Sequence, residues 1–473
     1  MTESRTRIRL KVMAALVVVM LAALTTRLWF LQVLASPKFV RLANDNQVRL
    51  VPIEPLRGDV LDRNGKVLVG NRPSTVVLVD RRGMRGQEEE VLFRLSNLVH
   101  VPVSDMLDQL NSVKYLPYQP VPVAEDVPER AIFYILEHHD QFPGVSYEVD
   151  PIRSYPDGSL ASHLLGYVLP ISADQLKEKA FVGYRPGELV GYSGIEAFYE
   201  RLLHGTPGRR EIQVNAQGTV LDENFGVQDP VPGDNLVLSI DGNVQRLAEK
   251  SLSLGIRLAR QTYDSASGKD YRATGGAVVV MDPKTGRVVA MASYPTYDPQ
   301  IFLGGLSLGE FRSLTAPGSN NPLVDRAMQG LYPAGSAFKP FVAAAALKEG
   351  FATTDGLYDC PSGYSAPVDP TRHIFHNWSP VNYGPISLPE ALAISCDTVF
   401  YQFGYDFWLR YHRSGGDELM QQDLWRMGFG KKTGIDLPGE QGGLVPTNNY
   451  VKQVYAANPK VYGPFYGWLP GDA

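Results

Sequence analysis

The longest apolar stretch of the chain covers residues 12–34, close to the N-terminus. Few polar side chains interrupt it, namely Thr25, Thr26, Arg27 and Gln32. A helix of this length reaches roughly 34 Å at 1.5 Å per residue, which is enough to cross a bilayer. Four basic residues lie within residues 1–11, and no small-residue cleavage site follows the stretch. The pattern predicts an uncleaved transmembrane signal anchor at 12–34, with residues 1–11 in the cytoplasm and the rest of the chain outside it.

Residues 35–235 alternate between short strand patterns, turns and a few amphipathic helices. Residues 56–69 have the pattern of two strands around an Asn-Gly turn, which is a strong hairpin signal. Apolar positions at helical spacing predict helices at 88–99, 103–110 and 195–203. No set of acids, bases or metal ligands assembles in this part of the sequence. We therefore expect a mixed α and β domain that serves as a spacer or docking platform.

Residues 236–473 predict a second domain with longer elements. Its strand and helix patterns cover 236–240, 276–281 and 286–292 as strands, and 243–260, 341–349, 387 onwards and 397–410 as helices. A turn at 282–286 joins two of the strands. A β-hairpin followed by helices predicts a sheet flanked by helices.

The composition is that of an ordinary globular protein. The chain has 473 residues, so two or three domains are expected, and 44% of its residues are hydrophobic. Its net charge of −5, with no basic run beyond the N-terminus, argues against nucleic acid as a partner.

The strongest chemical signal is Ser336 with Lys339. Side chains three residues apart share one face of a helix, roughly 5–6 Å apart at Cβ. Pro340 has no N–H, so a helix that contains it begins no earlier than about Ser336. The spacing predicts a serine hydroxyl at a helix N-terminus with an amine beneath it, the layout of a serine nucleophile activated by lysine. A capped helix with a solvated lysine is the alternative.

Ser395-Cys396-Asp397 adds a second polar element. The helix before it is marked by the capping box Ser387 and Glu390, with a proline in the first turn. At the exit of that helix, Ser395 and Asp397 could line a cleft opposite Ser336. There Ser395 would pass a proton and Asp397 would hold a substrate amide.

Cys360 and Cys396 are the only cysteines of the chain. Outside the cytoplasm a disulfide between them is allowed, although two cysteines make no framework. Two unpaired small residues are the alternative. His373 and His376 lie between them, so a structural zinc site involving Cys360, Cys396 and His376 is a third hypothesis, although the spacing fits no standard zinc module. No other cofactor is expected.

Motifs along nearly the whole chain resemble those of the class B penicillin-binding proteins. They are Arg57-Gly58-x-x-x-Asp62-Arg63-Asn64-Gly65, Arg153-x-Tyr155-Pro156, His163-x-x-Gly166-Tyr167, Gly194-x-Glu196-x-x-Tyr199, Leu238-Ser239-Ile240-Asp241, Ala290-Met291-Ala292-Ser293-Tyr294-Pro295, Tyr332-Pro333-x-Gly335-Ser336 and residues 434–440. These proteins are D,D-transpeptidases that cross-link peptidoglycan. Asp397 replaces the asparagine commonest in the second motif, which is similar to the elongation-type branch, penicillin-binding protein 2.

The resemblance implies an architecture and a role for each motif residue. After the anchor, it implies an α+β pedestal (dimerisation) domain at 35–235 and an α/β, serine β-lactamase-like transpeptidase domain at 236–473. Ser336 would attack the penultimate D-alanine carbonyl of a stem peptide, and its N–H would supply half of an oxyanion hole. Lys339 would be the general base and must be uncharged to accept the proton. Ser395 would relay a proton to the leaving D-alanine, and Asp397 would bind substrate.

The family's third motif, Lys-Thr-Gly on a strand, is expected much later in the chain. Lys284-Thr285-Gly286 precedes Ser336 and lies in the predicted hairpin turn. Lys432-Thr433-Gly434 lies only 37 residues past Ser395 (432 − 395). We expect both triplets to be unrelated to the motif, and the transpeptidase domain to be truncated at its C-terminus without the strand that carries it.

The resemblance also implies a location and partners. The protein would be a single-pass protein of the cell (inner) membrane with its bulk in the periplasm. Its partners would be stem peptides ending in D-Ala-D-Ala, β-lactams, a SEDS-family glycan polymerase and elongation-complex proteins. Two alternatives stay open: a catalytically silent scaffold that regulates a glycan polymerase, and a penicillin-recognising sensor or hydrolase. Labelling by a fluorescent penicillin tests the first, and the deacylation rate tests the second.

Overall fold

The structure is a computed structural model that describes most of the chain. The described residues are 2–34, 48–84, 86–112, 115, 119–214, 220–264, 268–303, 306, 308–367, 373–411 and 418–457. The chain forms two compact units. The first comprises Met1–Leu247, Val280–Ala290 and Thr296–Ala316, and the second comprises Ala248–Val279, Met291–Pro295 and Pro317–Ala473. The predicted domain boundaries stay predictions.

The chain begins with helix α1, Thr2–Trp29, which continues into a π-helical turn at Phe30–Leu34. The stretch Lys11–Val33 is long and apolar enough to cross a membrane, and no other described part of the chain covers it. An exposed apolar helix surface of this length is unfavourable in water, but it is favourable in the hydrocarbon core of a membrane. Helix α1 and the π-helical turn that follows it together contain the predicted span at 12–34.

The remaining elements follow in two groups. Up to residue 259 they are β1 Val48–Ile53, β2 Val60–Leu61, β3 Val67–Val79, α2 Glu88–Val99, α3 Val103–Leu110, β4 Val121–Ala124, α4 Glu129–Glu137, β5 Val145–Ser154, α5 Ser162–Leu165, β6 Val168–Pro170, β7 Leu189–Gly191, α6 Gly194–Phe198, α7 Glu200–Leu203, β8 Gly208–Val214, β9 Val220–Gln228, β10 Leu236–Val237 and α8 Gly242–Ala259. After it they are β11 Tyr263–Asp264, β12 Lys269–Asp270, β13 Gly276–Met281, β14 Val288–Tyr294, α9 Leu308–Thr315, α10 Arg326–Gln329, α11 Lys339–Lys348, β15 Leu357–Cys360, β16 Gly363–Tyr364, β17 Phe375–His376, β18 Gly384–Ser387, α12 Leu388–Ala393, α13 Asp397–Tyr411, α14 Leu419–Arg426 and α15 Asn448–Ala457.

Strand β3 organises the first unit. It pairs antiparallel with β2, with β5 along Gly70–Val79, and with β4, while β10 joins β2 in parallel. Inward residues of β3 such as Val77 and Val79 are fully buried against the apolar faces of α2, α3 and α4. A second antiparallel sheet has the order β1-β8-β9. This mixture of helices and antiparallel strands agrees with the expected α+β fold.

The second unit has a core formed mainly by α11 and α13. Small side chains on α11, including Ala343 and Ala346, lie in one buried cluster with Phe400 and Phe403 of α13. Alanine lets the two helices approach closely because it presents little more than backbone. This packing brings the beginning of α11 near the beginning of α13, where the predicted chemistry lies.

Most predicted elements are confirmed, with two corrections. The helices at 88–99 and 103–110 have the predicted bounds, and the Asn64-Gly65 hairpin forms with Gly65 at φ +84°. The predicted helix 195–203 is wrong as one element, because the backbone leaves helical geometry at Tyr199 and separates α6 from α7. The predicted strand 236–240 is shorter than expected, since its partner β2 is only two residues long.

Candidate active site

Ser336 lies on a tight turn immediately before α11. The turn is a 3-10 helix at Gly335–Phe338, and Gly335 enters it at φ +57°, a conformation that glycine adopts without strain. Pro340 is the second residue of α11, where its missing N–H leaves no hydrogen bond unmade. Ser336 is exposed and Lys339 is buried. The local sequence therefore presents a hydroxyl to solvent three residues before an enclosed amine.

The Lys339 amine makes three hydrogen bonds. Its Nζ donates to the Ser395 carbonyl oxygen at 2.6 Å, to Ser395 Oγ at 2.9 Å and to Asp397 Oδ1 at 2.5 Å. Three acceptors match the three hydrogens of an ammonium group. The ring of Phe400, with its centroid 5.7 Å from Nζ, closes another side. The solvated-lysine alternative is therefore wrong for this structure, because the amine is enclosed and paired.

Ser395 connects Lys339 to Ser336. Its hydroxyl accepts from Lys339 and donates to Ser336 Oγ at 2.8 Å. The described contacts of Lys339 do not include Ser336, so the connection that the sequence suggested between the two runs through a third residue. The structure thus brings Ser336, Lys339, Ser395 and Asp397 into one hydrogen-bonded chain.

The turn that carries Ser395 has unusual backbone geometry. Ser395 has φ +57°, which is uncommon for a residue with a side chain. The turn follows α12, which is capped by Ser387 and Glu390 in the predicted capping box. The next helix, α13, begins at Asp397. A left-handed residue between two helices aims its hydroxyl at Ser336 instead of continuing either helix.

Asp397 is held on both carboxylate oxygens. Oδ1 pairs with Lys339, and Oδ2 accepts the backbone N–H of Trp378 at 2.9 Å. The Asp397 side chain is about one-fifth exposed. Burial raises the pKa of Tyr401, one turn further along α13, and the negative charge of Asp397 adds to that effect. The carboxylate is therefore held in one orientation between Lys339 and the Trp378 backbone.

Cys360 and Cys396 form a disulfide that joins β15 to the turn before α13. Bridged cysteines carry no thiolate, so in this structure they do not have the ligand form that the zinc hypothesis requires. No three His, Cys, Asp or Glu side chains converge to hold a metal within the described part of the chain, and His376 lies exposed on β17. The zinc hypothesis stays a prediction for the reduced chain.

One Lys-Thr-Gly triplet lies in a turn and the other in an irregular segment. Lys284-Thr285-Gly286 lies between β13 and β14, where Asp282 accepts hydrogen bonds from Lys284 N–H and Thr285 Oγ1. In Lys432-Thr433-Gly434, Glu440 accepts from Thr433 N–H, Thr433 Oγ1 and Gly434 N–H. These bonds lower the pKa of Glu440, the Thr433 hydroxyl contributing most. Neither triplet lies on a strand, as expected.

Sequence reasoning missed Asn377 and Trp378. Both lie between β17 and β18 and contact the turn at 394–397. The only sequence signal was an asparagine and a tryptophan in a loop between the two cysteines, which indicates no particular contact.

Two family models and several known proteins match this chain. The sequence model of the penicillin-binding protein dimerisation domain matches residues 52–238, and that of the penicillin-binding protein transpeptidase domain matches residues 276–460. The peptidoglycan D,D-transpeptidase MrdA of Acinetobacter baumannii is 32% identical over 433 residues, which cover 91% of this chain and 60% of that protein. MrdA of Escherichia coli K12 is 30% identical over 477 residues, which cover 99% of this chain and 69% of that protein.

Solved structures show the same similarity in three dimensions. A complex between penicillin-binding protein PBP2 and MreC from Helicobacter pylori aligns with a TM-score of 0.68 at 27% identity, and covers 90% of this chain and 72% of the other. A peptidoglycan synthase complex that coordinates polymerisation and crosslinking aligns with a TM-score of 0.63 at 30% identity, and covers 98% of this chain and 73% of the other.

Proposed function

This chain belongs to the penicillin-binding proteins related to the D,D-transpeptidase MrdA, and from that membership we propose that it cross-links peptidoglycan stem peptides through an acyl-enzyme on Ser336. The observation that carries the proposal is the hydrogen-bonded chain Ser336, Ser395 and Lys339. The chain spans 60% of the length of the Acinetobacter relative.

Acylation would begin with attack of Ser336 Oγ on the carbonyl carbon of the penultimate D-alanine. A bond forms between that oxygen and the carbonyl carbon, and the amide bond to the terminal D-alanine breaks. The Ser336 proton passes through the Ser395 hydroxyl to an uncharged Lys339 amine, and the same route returns a proton to the leaving nitrogen. An amine from a second stem peptide then attacks the ester and releases Ser336.

Asp397 would couple substrate binding to this proton transfer. In the substrate-free structure, Asp397 Oδ1 lies 2.5 Å from Lys339 Nζ and occupies one of the three hydrogen-bonding directions of the amine. A substrate amide N–H that bonds to Asp397 would draw the carboxylate away from the amine. Lys339 would then act as a base only when a peptide occupies the site.

The apolar helix and the matched structures support a location and partners. We propose a single membrane span at 12–34 in the inner membrane, with residues 1–11 in the cytoplasm and the chain after residue 34 in the periplasm. A membrane glycan polymerase of the SEDS family and elongation proteins such as MreC are proposed partners. One matched structure is a complex of PBP2 with MreC, and another is a peptidoglycan synthase complex that coordinates polymerisation and crosslinking, which supports this proposal.

Labelling with a fluorescent penicillin tests the proposed nucleophile. The full-length chain should be labelled covalently, and Ser336→Ala should abolish labelling because no other hydroxyl occupies its place. Ser313→Ala, which alters an exposed serine on α9, serves as the control and should be labelled like the parent.

Other results would favour another function. Labelling that survives Ser336→Ala would contradict the proposal, and a folded parent that takes up no label would favour the silent scaffold. Rapid loss of the label by hydrolysis would favour the sensor or hydrolase.

A further inference from the structure

Asn377 is a buried polar residue outside all the motifs of the site. It follows β17, is 7% exposed, and donates its backbone N–H to the Ser362 carbonyl oxygen at 2.9 Å. We propose that Asn377, together with the backbone of Trp378, is a positioning residue that holds Asp397 in place against Lys339. This inference rests on the proposed function.

Both polar atoms of the Asn377 side-chain amide, Oδ1 and Nδ2, make contacts. Its Oδ1 accepts the backbone N–H of Asp397 at 3.0 Å and that of Trp378 at 3.1 Å. Its Nδ2 lies 3.6 Å from Cys360 Sγ and 4.0 Å from Cys396 Sγ. One neutral side chain therefore connects the start of α13, the disulfide and the loop after β17.

Trp378 makes further contacts with the Asp397 carboxylate and with the turn at 394–397. We call Asn377 and Trp378 together the clamp. Its backbone N–H also donates to Asp397 Oδ2 at 2.9 Å, and its Nε1 donates to the Ile394 carbonyl oxygen at 2.9 Å. The two residues thus hold the turn at Ile394 and at Asp397. Ser395, with its left-handed backbone, lies between these anchored positions.

The clamp has a consequence for proton transfer. With Oδ2 fixed by Trp378, Asp397 can present only Oδ1 to Lys339, at 2.5 Å. Removing the Asn377 amide would leave the Asp397 N–H without a partner and would let the backbone at the start of α13 shift, and the Asp397 carboxylate with it. Lys339 would then lose a fixed negative neighbour, and its direction toward Ser395 would loosen.

A plainer role for Asn377 makes different predictions. The Asp397 N–H belongs to the first turn of α13, where N–H groups lack partners within the helix, so Asn377 could simply cap it. A cap contributes to stability, but it does not change how acylation depends on pH. The pH profile and the coupling to Asp397 therefore separate the two roles.

The test measures the acylation rate by fluorescent penicillin from pH 5.5 to 9.5, using the full-length chain. Asn377→Ala should slow acylation about ten-fold at neutral pH, in line with the cost of leaving the Asp397 backbone N–H without an acceptor. The pH at which the rate rises should move down, because the amine is less firmly paired. The rate at neutral pH still falls, because the loosened direction of Lys339 toward Ser395 outweighs the larger uncharged fraction of the amine. Asn382→Ala, which removes an exposed amide from the same loop, is the matched control and should act like the parent.

Asn377→Asp keeps the test decisive if the alanine variant fails to fold. Aspartate has the same size and keeps an acceptor for the Asp397 N–H, but it places a second carboxylate beside Asp397. The pH at which the rate rises should therefore move up, opposite to the alanine variant. A profile unmoved in Asn377→Asp would overturn the proposal.

A double-mutant cycle with Asp397→Asn completes the design. If Asn377 acts through Asp397, adding Asn377→Ala to Asp397→Asn should change the rate less than two-fold. Additive losses, or a folded Asn377→Ala variant within two-fold of the parent, would refute the positioning role. A parent that takes up no penicillin would instead refute the proposed function, so the two failures are distinguishable.

Discussion

Ser395 combines two tasks that impose different demands on one residue. Its hydroxyl joins Lys339 to Ser336, and its backbone takes a left-handed conformation that disfavours any side chain. Such local strain persists where the surrounding structure holds it in place, and it is common at functional sites. Here the anchors are the bonds that Trp378 makes to Ile394 and to Asp397.

Substitutions at Ser395 should separate these two tasks. Ser395→Ala and Ser395→Gly both remove the hydroxyl, so both should lose penicillin acylation by a hundred-fold or more, about the contribution of a proton relay. Glycine tolerates φ +57°, so the glycine variant should be more stable than the alanine variant by about 1 kcal/mol.

The measurements are the acylation rate and the denaturant midpoint of both variants. Equal stability of the two would contradict the strain at Ser395. Acylation at the parental rate in either would show that protons reach Lys339 by another path.

At the scale of elements, the disulfide fixes the position of α13. It connects β15 with the residue before the first turn of α13 and lies beneath the turn that carries Ser395 and Asp397. Its sequence separation of 36 residues means that the covalent link excludes many unfolded conformations.

Removing the disulfide should destabilise the second unit. Cys360→Ser combined with Cys396→Ser should lower its unfolding free energy by up to about 4 kcal/mol, the loop-closure value for a loop of this length. Unfolding followed by tryptophan fluorescence, with and without reductant, checks this.

The parent should become as labile as the double variant when reductant is added, whereas the variant should not respond to reductant. Parent and variant with the same midpoint in the absence of reductant would show that the bridge contributes nothing to stability.

At the scale of the whole molecule, distant parts of the sequence meet in buried ion pairs. In the first unit, Glu196 is completely buried and receives Arg57 Nε at 2.6 Å and Arg153 Nε at 2.7 Å. Arg57 also reaches Glu200 at 2.6 Å. Arg57 and Glu196, which are 139 positions apart in the sequence, are therefore joined by a buried ion pair.

This cluster should make the first unit sensitive to acid. Burial alone would raise the pKa of Glu196, but the charges and hydrogen bonds of Arg57 and Arg153 outweigh it and lower the pKa below its ordinary value of 4.5. A lowered pKa in the folded state means that the ionised form stabilises the fold above about pH 4.5. That contribution is lost as the pH falls through the lowered value.

Glu196→Gln should therefore destabilise the protein at pH 7 by about 3 kcal/mol, the typical effect of breaking a buried ion pair, and should reduce the dependence of stability on pH below 5. Urea unfolding at pH 7 and pH 3 measures both effects. Glu137→Gln, at an exposed residue with no ion pair in the described chain, is the control. Equal acid-induced loss in parent and Glu196→Gln would contradict the assignment.

The sequence by itself determined which side chains are available and much of the local structure. Serine and lysine three residues apart, with Pro340 after them, specify a hydroxyl and an amine on one helical face, because helix geometry depends only on nearby residues. The capping box at Ser387 and the hairpin at Asn64-Gly65 follow from the same kind of short-range rule. The apolar run at 12–34 likewise needs no partner to be recognised.

Only the tertiary structure decided where the Lys339 amine points and what holds Asp397. The hydrogen bonds from Lys339 to Ser395 and from Asp397 to Asn377 join residues 56 and 20 positions apart. The choice between a disulfide and free cysteines likewise depended on bringing Cys360 to Cys396, and the break at Tyr199 accompanies ion pairs that Glu196 and Glu200 make with Arg57. Such pairings depend on how helices and strands pack, and no local periodicity encodes them.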